Sequence, residues 1–405
     1  MASSDLTPVE DAISHMLGKA RQVTDTEVVA LSHCLDRILA KDYRVPADVP
    51  PADNSSVDGY AIRAADLSGQ QPLPVSGRIA AGQAPGSCRP GSAVRIFTGA
   101  EIPAGADAVV MQEQVTVAGD GRITIDEPVT EGQNIRRRGQ DLTQGDLALA
   151  KGTKIRPQEM GTLGSIGVAD VEVFVRLKIA ILTTGDELVD PGQSLGPGQI
   201  YNSNRYTMLG LMAKAGCEVM LCETLADNRD STRSTLERAA AAADLIITSG
   251  GVSVGEEDHV RVVLEESGDL SLWRMASKPG KPLAFGSIGR TPVMGLPGNP
   301  AAVLVTLLIV GMPFIHACQG RPGVTRFGER MPAGFSSEQP SIRREFVRAR
   351  KSQGDDGPVI IAYPNQSSGV LSSACWAEGL AVVPENETVH QGDMITYYSF
   401  AELLE

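Results

Sequence analysis

Between residues 177 and 319, short apolar runs alternate with helical stretches, and this alternation leaves few folds open. KIAIL (178–182) is followed by a helical pattern over 203–215, with Gly216 placed to end it. EVMLCETL (218–225) leads to an alanine-rich helix running to about residue 243, with Asp230 expected as its cap. DLIITSGG (244–251) leads to a helix starting near Glu257, with Val260, Val263 and Leu264 on one side. Two more strands, KPLAFGSI and PVMGL, precede an apolar helix that Asn299 caps and Pro300 begins. Strands separated by amphipathic helices build a mostly parallel sheet, with ligands at the carboxyl ends of its strands. The chemically suggestive groups stand at those ends: Thr183-Thr184-Gly185-Asp186-Glu187, Asp227, Ser249-Gly250-Gly251 and Pro297-Gly298-Asn299.

The flanks have a different texture. A chain of 405 residues exceeds what one core serves, so two to four domains are expected. Thr7 reads as an N-cap with Pro8 at N1, a second helical pattern covers 32–40, and 45–51 (VPADVPP) reads as a linker. From 53 to 141, Val/Ile-rich runs alternate with Gly and Pro turns, which is β texture. Residues 157–168 return to helix and are expected to pack back on the N-terminal helices. The last 80 residues (REFVRAR, PVIIAYP, GLAVVPE, MITYYSF) read as a small barrel or sandwich. The expected division is a discontinuous linker domain (1–50 and 141–176), an inserted β domain (51–140), an α/β domain (177–322) and a C-terminal β domain (323–405).

Net charge is 36 − 49 = −13, which argues against a general nucleic-acid or membrane-surface binder. The six cysteines form no CxxC pair and lie at no zinc-like spacing from histidine, so they read as reduced, buried thiols. The polar N-terminus has no signal-peptide core, and the cytoplasm is the expected compartment. The longest apolar run, 301–315, is broken by Gly311 and Pro313 and reads as a buried helix.

The stretch IITSGGVSVGEEDH (246–259) sets glycines beside acids. Ser249, Gly250, Gly251, Ser253 and Gly255 can bring backbone N–H groups close to a phosphate, or they can form only a tight turn. Glu256 and Glu257 suit the first turn of a helix. Asp258, with Asp227 and Asp186 or Glu187 at neighbouring strand ends, makes a hard-carboxylate set suited to Mg2+ beside phosphate. In SKPGKPLAFG, Lys278 and Lys281 flank a Pro-Gly turn and form either an anion site or a solvated hairpin. Further positive charge lies in Arg136-Arg137-Arg138, and in Arg343-Arg344 with Arg348 and Arg350; such runs are also common on solvated surfaces. No Ser/His/Asp or Cys/His order supports covalent catalysis, and His259 is not expected to be catalytic.

DNSSVDGYAIR, RIFTGAEIPAGADAVVMQE, NIRRRGQD, ILTTGDEL, the Asp227 strand end, TSGGVSVGEEDH, KPGKPLAFG and GLPGNPAAVLV follow in order from about residue 50 to 310. Together they resemble the molybdopterin molybdenumtransferase family, the MoeA-type molybdenum insertases related to the E domain of gephyrin. The resemblance implies an elongated, homodimeric subunit of α/β plus β class. It would have a MogA-like mostly parallel α/β domain, an inserted β domain, a helical N-terminal part and a C-terminal β-barrel. It implies insertion of molybdate into the dithiolene of adenylated molybdopterin, with Mg2+-dependent release of AMP. Asp58, Thr98, Asp141, Glu187, Asp227 and Asp258 match the family's functional positions, and Asp186, Asp227 and Asp258 are the implied metal set. Lys278 and Lys281, Pro297, Asn299 and Pro300 of the LPGNP turn, Arg137, and Ser368 with Arg344 or Arg348 match its substrate-binding positions. Gln140 departs from the family, where many relatives have Glu. Asp58 and Thr98 are expected to reach the site from the partner subunit. The implied partners are an adenylyltransferase supplying the substrate and molybdoenzyme chaperones taking the product. Two alternatives stand beside this. One is an adenylyltransferase-like or other nucleotide-processing enzyme on the same α/β domain, which would consume ATP and yield pyrophosphate. The other is a non-catalytic scaffold.

Overall fold

The computed structural model describes residues 6–67, 71–226, 228–252, 258–267, 270–323 and 326–405. At its centre is a six-stranded sheet made of β1 (Lys178–Thr184), β2 (Glu218–Leu225), β3 (Leu245–Ser249), β4 (Leu270–Arg274), β5 (Pro282–Ile288) and β6 (Thr291–Leu296). The strand order is β2-β1-β3-β6-β5-β4. The first three pairings are parallel, while β6/β5 and β5/β4 are antiparallel. Both faces are covered, which explains why the strands read as unbroken apolar runs. Ile179, Ile181, Leu245 and Ile247 face Met208, Leu211 and Met212 of α1 (Ser203–Lys214). The alternate positions Ala180, Leu182 and Ile246 face Leu236 and Ala239 of α2 (Arg229–Ala242) and Val260, Val263 and Leu264 of α3 (His259–Ser267). Asn228, not Asp230, caps α2: it stands just before the helix with its side-chain oxygen accepting the Ser231 N–H at 2.8 Å, while Asp230 already lies in the first turn.

The apolar run forms α4 (Pro300–Thr306), continues through a π turn (Leu307–Gly311) and ends as α5 (Met312–Cys318). It is long and apolar enough to cross a membrane, yet 83% of it is buried inside the protein. Pro313 has no N–H to donate and crowds the carbonyl one turn back. Arg326 takes over there, donating to the Leu308 and Ile309 carbonyls at 3.1 and 3.2 Å and to the Leu403 carbonyl at 3.1 Å.

The N-terminal helix (Val9–Leu17) buries Val9, Ala12 and Met16 in this α/β core, away from the helix Pro157–Ser165 that was expected to meet it. Thr7 is not its cap. The Thr7 N–H donates to the Arg274 carbonyl at 2.9 Å, and the Thr7 carbonyl accepts from Ala276 at 2.8 Å, so Pro8 takes the cap position. The helix expected over 32–40 is also absent beyond one 3-10 turn, Leu31–His33. The Asp36 and Leu39 N–H groups donate to the Ile155 and Thr153 carbonyls, so long-range pairing overrides the local helical pattern. The Pro157–Ser165 helix closes a small core with Cys34, Leu39, Tyr43 and Ile155.

Residues 59–125 form a second six-stranded sheet, ordered Ala108–Met111, Gly59–Ile62, Ala93–Ile96, Leu73–Ile79, Arg122–Ile125, Val115–Val117. The C-terminal sheet contains β7 (Glu329–Pro332), β8 (Arg344–Gly354), β9 (Gly357–Ala362), β10 (Gly379–Val383) and β11 (Met394–Ser399). It runs β9-β8-β10-β11-β7 and curls until Ala333 bridges Ile360, around Met331, Ala349, Ile360 and Tyr397. The two-residue strand Ser277–Lys278 pairs in parallel with the start of β8, Ser277 opposite Arg344 and Lys278 opposite Glu345. Backbone hydrogen bonds thus join the α/β domain to the C-terminal sheet. All six cysteines are free thiols. Cys34, Cys88 and Cys318 are buried, but Cys375 is exposed, contrary to expectation.

Candidate active site

Register brings the strand ends together. Thr183 of β1 lies opposite Thr224 of β2 and Ser249 of β3, and Ser249 lies opposite Leu296 of β6. Above these ends opens a cleft of about 940 Å³, with the KPGKP turn and the C-terminal sheet as its far wall. Of the residues named from sequence, Glu187, Ser249, Gly250, Gly251, Asp258, Lys278, Lys281, Pro297, Asn299, Pro300 and Ser368 line it.

The floor is set by backbone conformations few residues tolerate. Gly250 has φ 87°, and a Cβ there would stand 2.5 Å from Thr184 Oγ1. Gly185 has φ 134°, and the Glu187 carboxylate folds over it so closely that a Cβ would be 2.4 Å from Oε2. Two asparagines missed from sequence tie the floor together. Asn202 donates to Thr183 Oγ1 at 2.8 Å and Thr224 Oγ1 at 3.3 Å, while its oxygen caps α1 at Arg205. Asn204 donates to Ser249 Oγ at 2.8 Å and the Gly298 carbonyl at 2.7 Å, joining the β3 and β6 exits. The sequence signal, Asn-x-Asn opening a helix just after a strand, resembles ordinary capping.

On the far wall Lys278 Nζ donates to Glu345 Oε1 at 2.8 Å. The KPGKP turn is held by Ser277 Oγ, which donates to the Pro279 and Gly280 carbonyls at 3.0 and 3.2 Å. Ser367 and Ser368 enter from the C-terminal sheet, and the Ala301 N–H donates to the Ser368 carbonyl at 2.9 Å.

Several expected residues lie elsewhere. Arg348 does not face the cleft: it is 1% exposed, and burial pushes its guanidinium down to about 10. It donates to Ser373 Oγ and the Ser367 carbonyl, both at 3.0 Å, and so holds the serine loop from behind. Arg344 is also withdrawn, paired with Glu10 and, at 3.1 Å, with Glu385. It is Arg343 that lines the cleft. From the β1 loop Glu187 lines the cleft and Asp186 does not. Asp227, Ser253 and Gly255, with Glu256 and Glu257, lie outside the described residues. Among the described residues no three His, Cys, Asp or Glu side chains come together as a metal site. Glu187 and Asp258 are the two described carboxylates in the cleft. That donor set fits Mg2+, which takes one or two carboxylates and completes its shell with phosphate oxygens and water.

Asp58, Thr98, Arg137 and Asp141 do not line the cleft of their own chain. Asp58 and Thr98 do meet each other: the Thr98 N–H and hydroxyl donate to one Asp58 oxygen at 2.8 and 2.7 Å. These bonds, the backbone one foremost, hold the Asp58 carboxyl below the usual range. Arg137 pairs with Asp53 at 2.6 Å, and Asp141 is exposed beside Val49. Gln140, the departure from the family, accepts the Arg137 N–H at 3.0 Å and so closes its turn without a charge.

Three family profiles match in order: "MoeA N-terminal region (domain I and II)" over residues 7–167, "Probable molybdopterin binding domain" over 180–317, and "MoeA C-terminal region (domain IV)" over 330–400. The chain is 40% identical over 405 residues to a molybdopterin molybdenumtransferase of Haemophilus influenzae, covering 98% of this chain and 99% of that one. It is 34% identical to molybdopterin molybdenumtransferase 2 of Mycobacterium tuberculosis, covering 92% and 94%. Among solved structures, a molybdopterin biosynthesis moeA protein from Pyrococcus horikoshii superposes with TM-score 0.78 at 31% identity, covering 98% of this chain and 99% of that one.

Proposed function

The chain belongs to the MoeA-type molybdopterin molybdenumtransferase family and acts as a transferase in molybdenum cofactor biosynthesis; from that premise we propose how its cleft does so. The substrates are adenylated molybdopterin and molybdate, and the products are AMP and molybdenum-loaded cofactor. The supporting observation is the meeting of the aligned β1, β3 and β6 ends with the KPGKP turn and the Ser367–Ser368 loop in one cleft.

The N–H groups around Gly250 and Gly251 receive the phosphates of the adenylated substrate, and Lys281 and Ser368 meet them from the opposite wall. Lys278 joins when its pairing with Glu345 yields. Glu187, Asp258 and Asp227 would hold Mg2+, which supplies charge neutralisation at the phosphate that leaves with AMP. Asp186, the third residue of the metal set that the resemblance implies, does not line the cleft. Pro297, Asn299 and Pro300 shape the floor. Arg348 acts as a positioning residue through the serine loop, and Arg344 through its ion pairs. Asp58, Thr98, Arg137 and Asp141 serve the cleft of a second copy in a cytoplasmic homodimer. An adenylyltransferase upstream and molybdoenzyme chaperones downstream complete the sequence.

The test is an assay of AMP released from adenylated molybdopterin, with molybdate present, absent, or replaced by tungstate. Molybdate-dependent AMP release is expected. Consumption of ATP with release of pyrophosphate, and no molybdate dependence, would sink the proposal.

A further inference from the structure

We propose that one face of the inserted sheet, built from Asp58, Arg78, Arg95 and Phe97, binds the pterin ring of the substrate: the ring stacks on Arg78, and its amino edge donates to the open oxygen of Asp58. The proposal deepens the functional reading above and rests on it, since this face would meet the pterin in the cleft of a second copy.

Three observations carry it. Register comes first. Tyr60 stands directly opposite Arg95, and Arg95 opposite Arg78, on adjacent strands of the inserted sheet. Side chains two residues apart share a strand face, so Asp58 and Phe97 join that row.

A column of alternating rings and cations is the second. The Arg95 guanidinium lies 5.0 Å from the centre of the Tyr60 ring and 4.8 Å from that of Phe97. The Arg78 guanidinium lies 4.5 Å from the Phe97 ring centre. The column ends on Arg78, which is exposed and, among the described residues, has no carboxylate partner. A guanidinium plane held on an aromatic ring can stack a further conjugated ring.

The half-used carboxylate of Asp58 is the third. Both Thr98 donors go to Oδ1, and Oδ2 accepts no hydrogen bond among the described residues. The backbone beside it is fixed. Arg95 Nη1 donates to the Gly59 carbonyl at 2.9 Å, and the Gln112 N–H donates to the Asp58 carbonyl at 3.0 Å. Gln112 Oε1 in turn accepts from Arg95. A Cβ on Gly59 would stand 1.9 Å from the Val110 carbonyl oxygen, so the strand has no slack. The Asp58 carboxyl is held ionised and can only accept. The amino group and neighbouring ring N–H of a pterin are adjacent donors, which suit such a carboxylate. Adenine sets its amino group beside an acceptor nitrogen, which would oppose it. The chemistry therefore selects the pterin end of the substrate and not the nucleotide end.

The experiment titrates the full-length protein with free pterin, with adenosine, and with lumazine, the pterin bicycle carrying oxygen in place of the amino group. Binding is followed by ligand fluorescence for the two pteridines and by calorimetry for adenosine. The parent protein should bind pterin about 10- to 100-fold more tightly than lumazine, the worth of one charge-assisted contact. Asp58→Asn should bring the two pteridines to similar affinity. Arg78→Ala should weaken both by about 3- to 30-fold and leave their ratio unchanged. Arg122→Ala, which removes an exposed positive charge on the same sheet, should change neither. No binding of pterin by the parent, equal binding of pterin and lumazine, or parental discrimination kept in Asp58→Asn would overturn the proposal. So would adenosine binding that is tighter than pterin binding and weakened by Arg78→Ala. If discrimination disappears in Asp58→Asn as expected while the parent releases no molybdate-dependent AMP, the functional reading fails and the pterin site stands.

Discussion

At Gly250 a left-handed φ of 87° coincides with a Thr184 hydroxyl where a Cβ would go, so two separate penalties fall on any other residue. Gly250→Ala should cost at least about 1–2 kcal/mol in thermal or urea unfolding and should weaken AMP binding as well. Loss of stability with unchanged AMP affinity would separate the floor from the ligand. Such a position is legible in sequence, because the backbone alone dictates the residue type. The arginines were not legible in this way. Arg343, Arg344 and Arg348 are alike in sequence, and only the strand's start decides which one faces the cleft. Arg348→Leu removes donors to Ser373 and the Ser367 carbonyl. It should lower unfolding stability by about 2 kcal/mol and raise KM; an unchanged KM would mean that the serine loop needs no support.

Among elements, the long apolar helix shows what sequence does and does not carry. Its burial follows from composition, but the Leu308 and Ile309 carbonyls of its π turn are taken up by Arg326, which lies outside the helix. The absent helix over 32–40 teaches the same lesson, since its N–H groups were claimed by partners more than a hundred residues away. The sheet strands and the cleft at their ends were legible because period and turn chemistry are local. The asparagine ties beneath the cleft were not, because their partners lie on three different strands. The same apolar helix carries a titration prediction. His316 is buried, and burial foremost, with Arg321, Arg326 and Lys154 nearby, pushes its imidazole down to about 3. The folded ring therefore stays neutral while the unfolded one gains a proton below about pH 6.5. The unfolded state binds more protons as pH falls through that window, so stability drops there. His316→Met should remove this drop, improving stability at pH 4.5 relative to pH 7 by about 2.5 kcal/mol compared with the parent protein. Urea unfolding at the two pH values checks it, and parallel losses in both proteins would contradict it.

On the scale of the whole molecule, the Asp58–Thr98 pair sits on the inserted sheet, outside its own chain's cleft. If a second copy brings the pair to the site, Asp58→Ala and Asp258→Ala are defects in different subunits of one site. Random mixed dimers should then recover about a quarter of parental turnover, because one site in each heterodimer is intact. No recovery above either variant alone would place both residues in the same chain's site.

The seam between Ser277–Lys278 and the start of β8 has a consequence for exchange of parts between relatives. It is written in backbone hydrogen bonds, so the join itself does not depend on which side chains stand along it. A chimaera cut at the apparent boundary near residue 322 would leave one edge of that seam in each parent. Grafting the C-terminal sheet together with residues 275–282 would inherit the lysine wall and its matching glutamate as a single heritable unit.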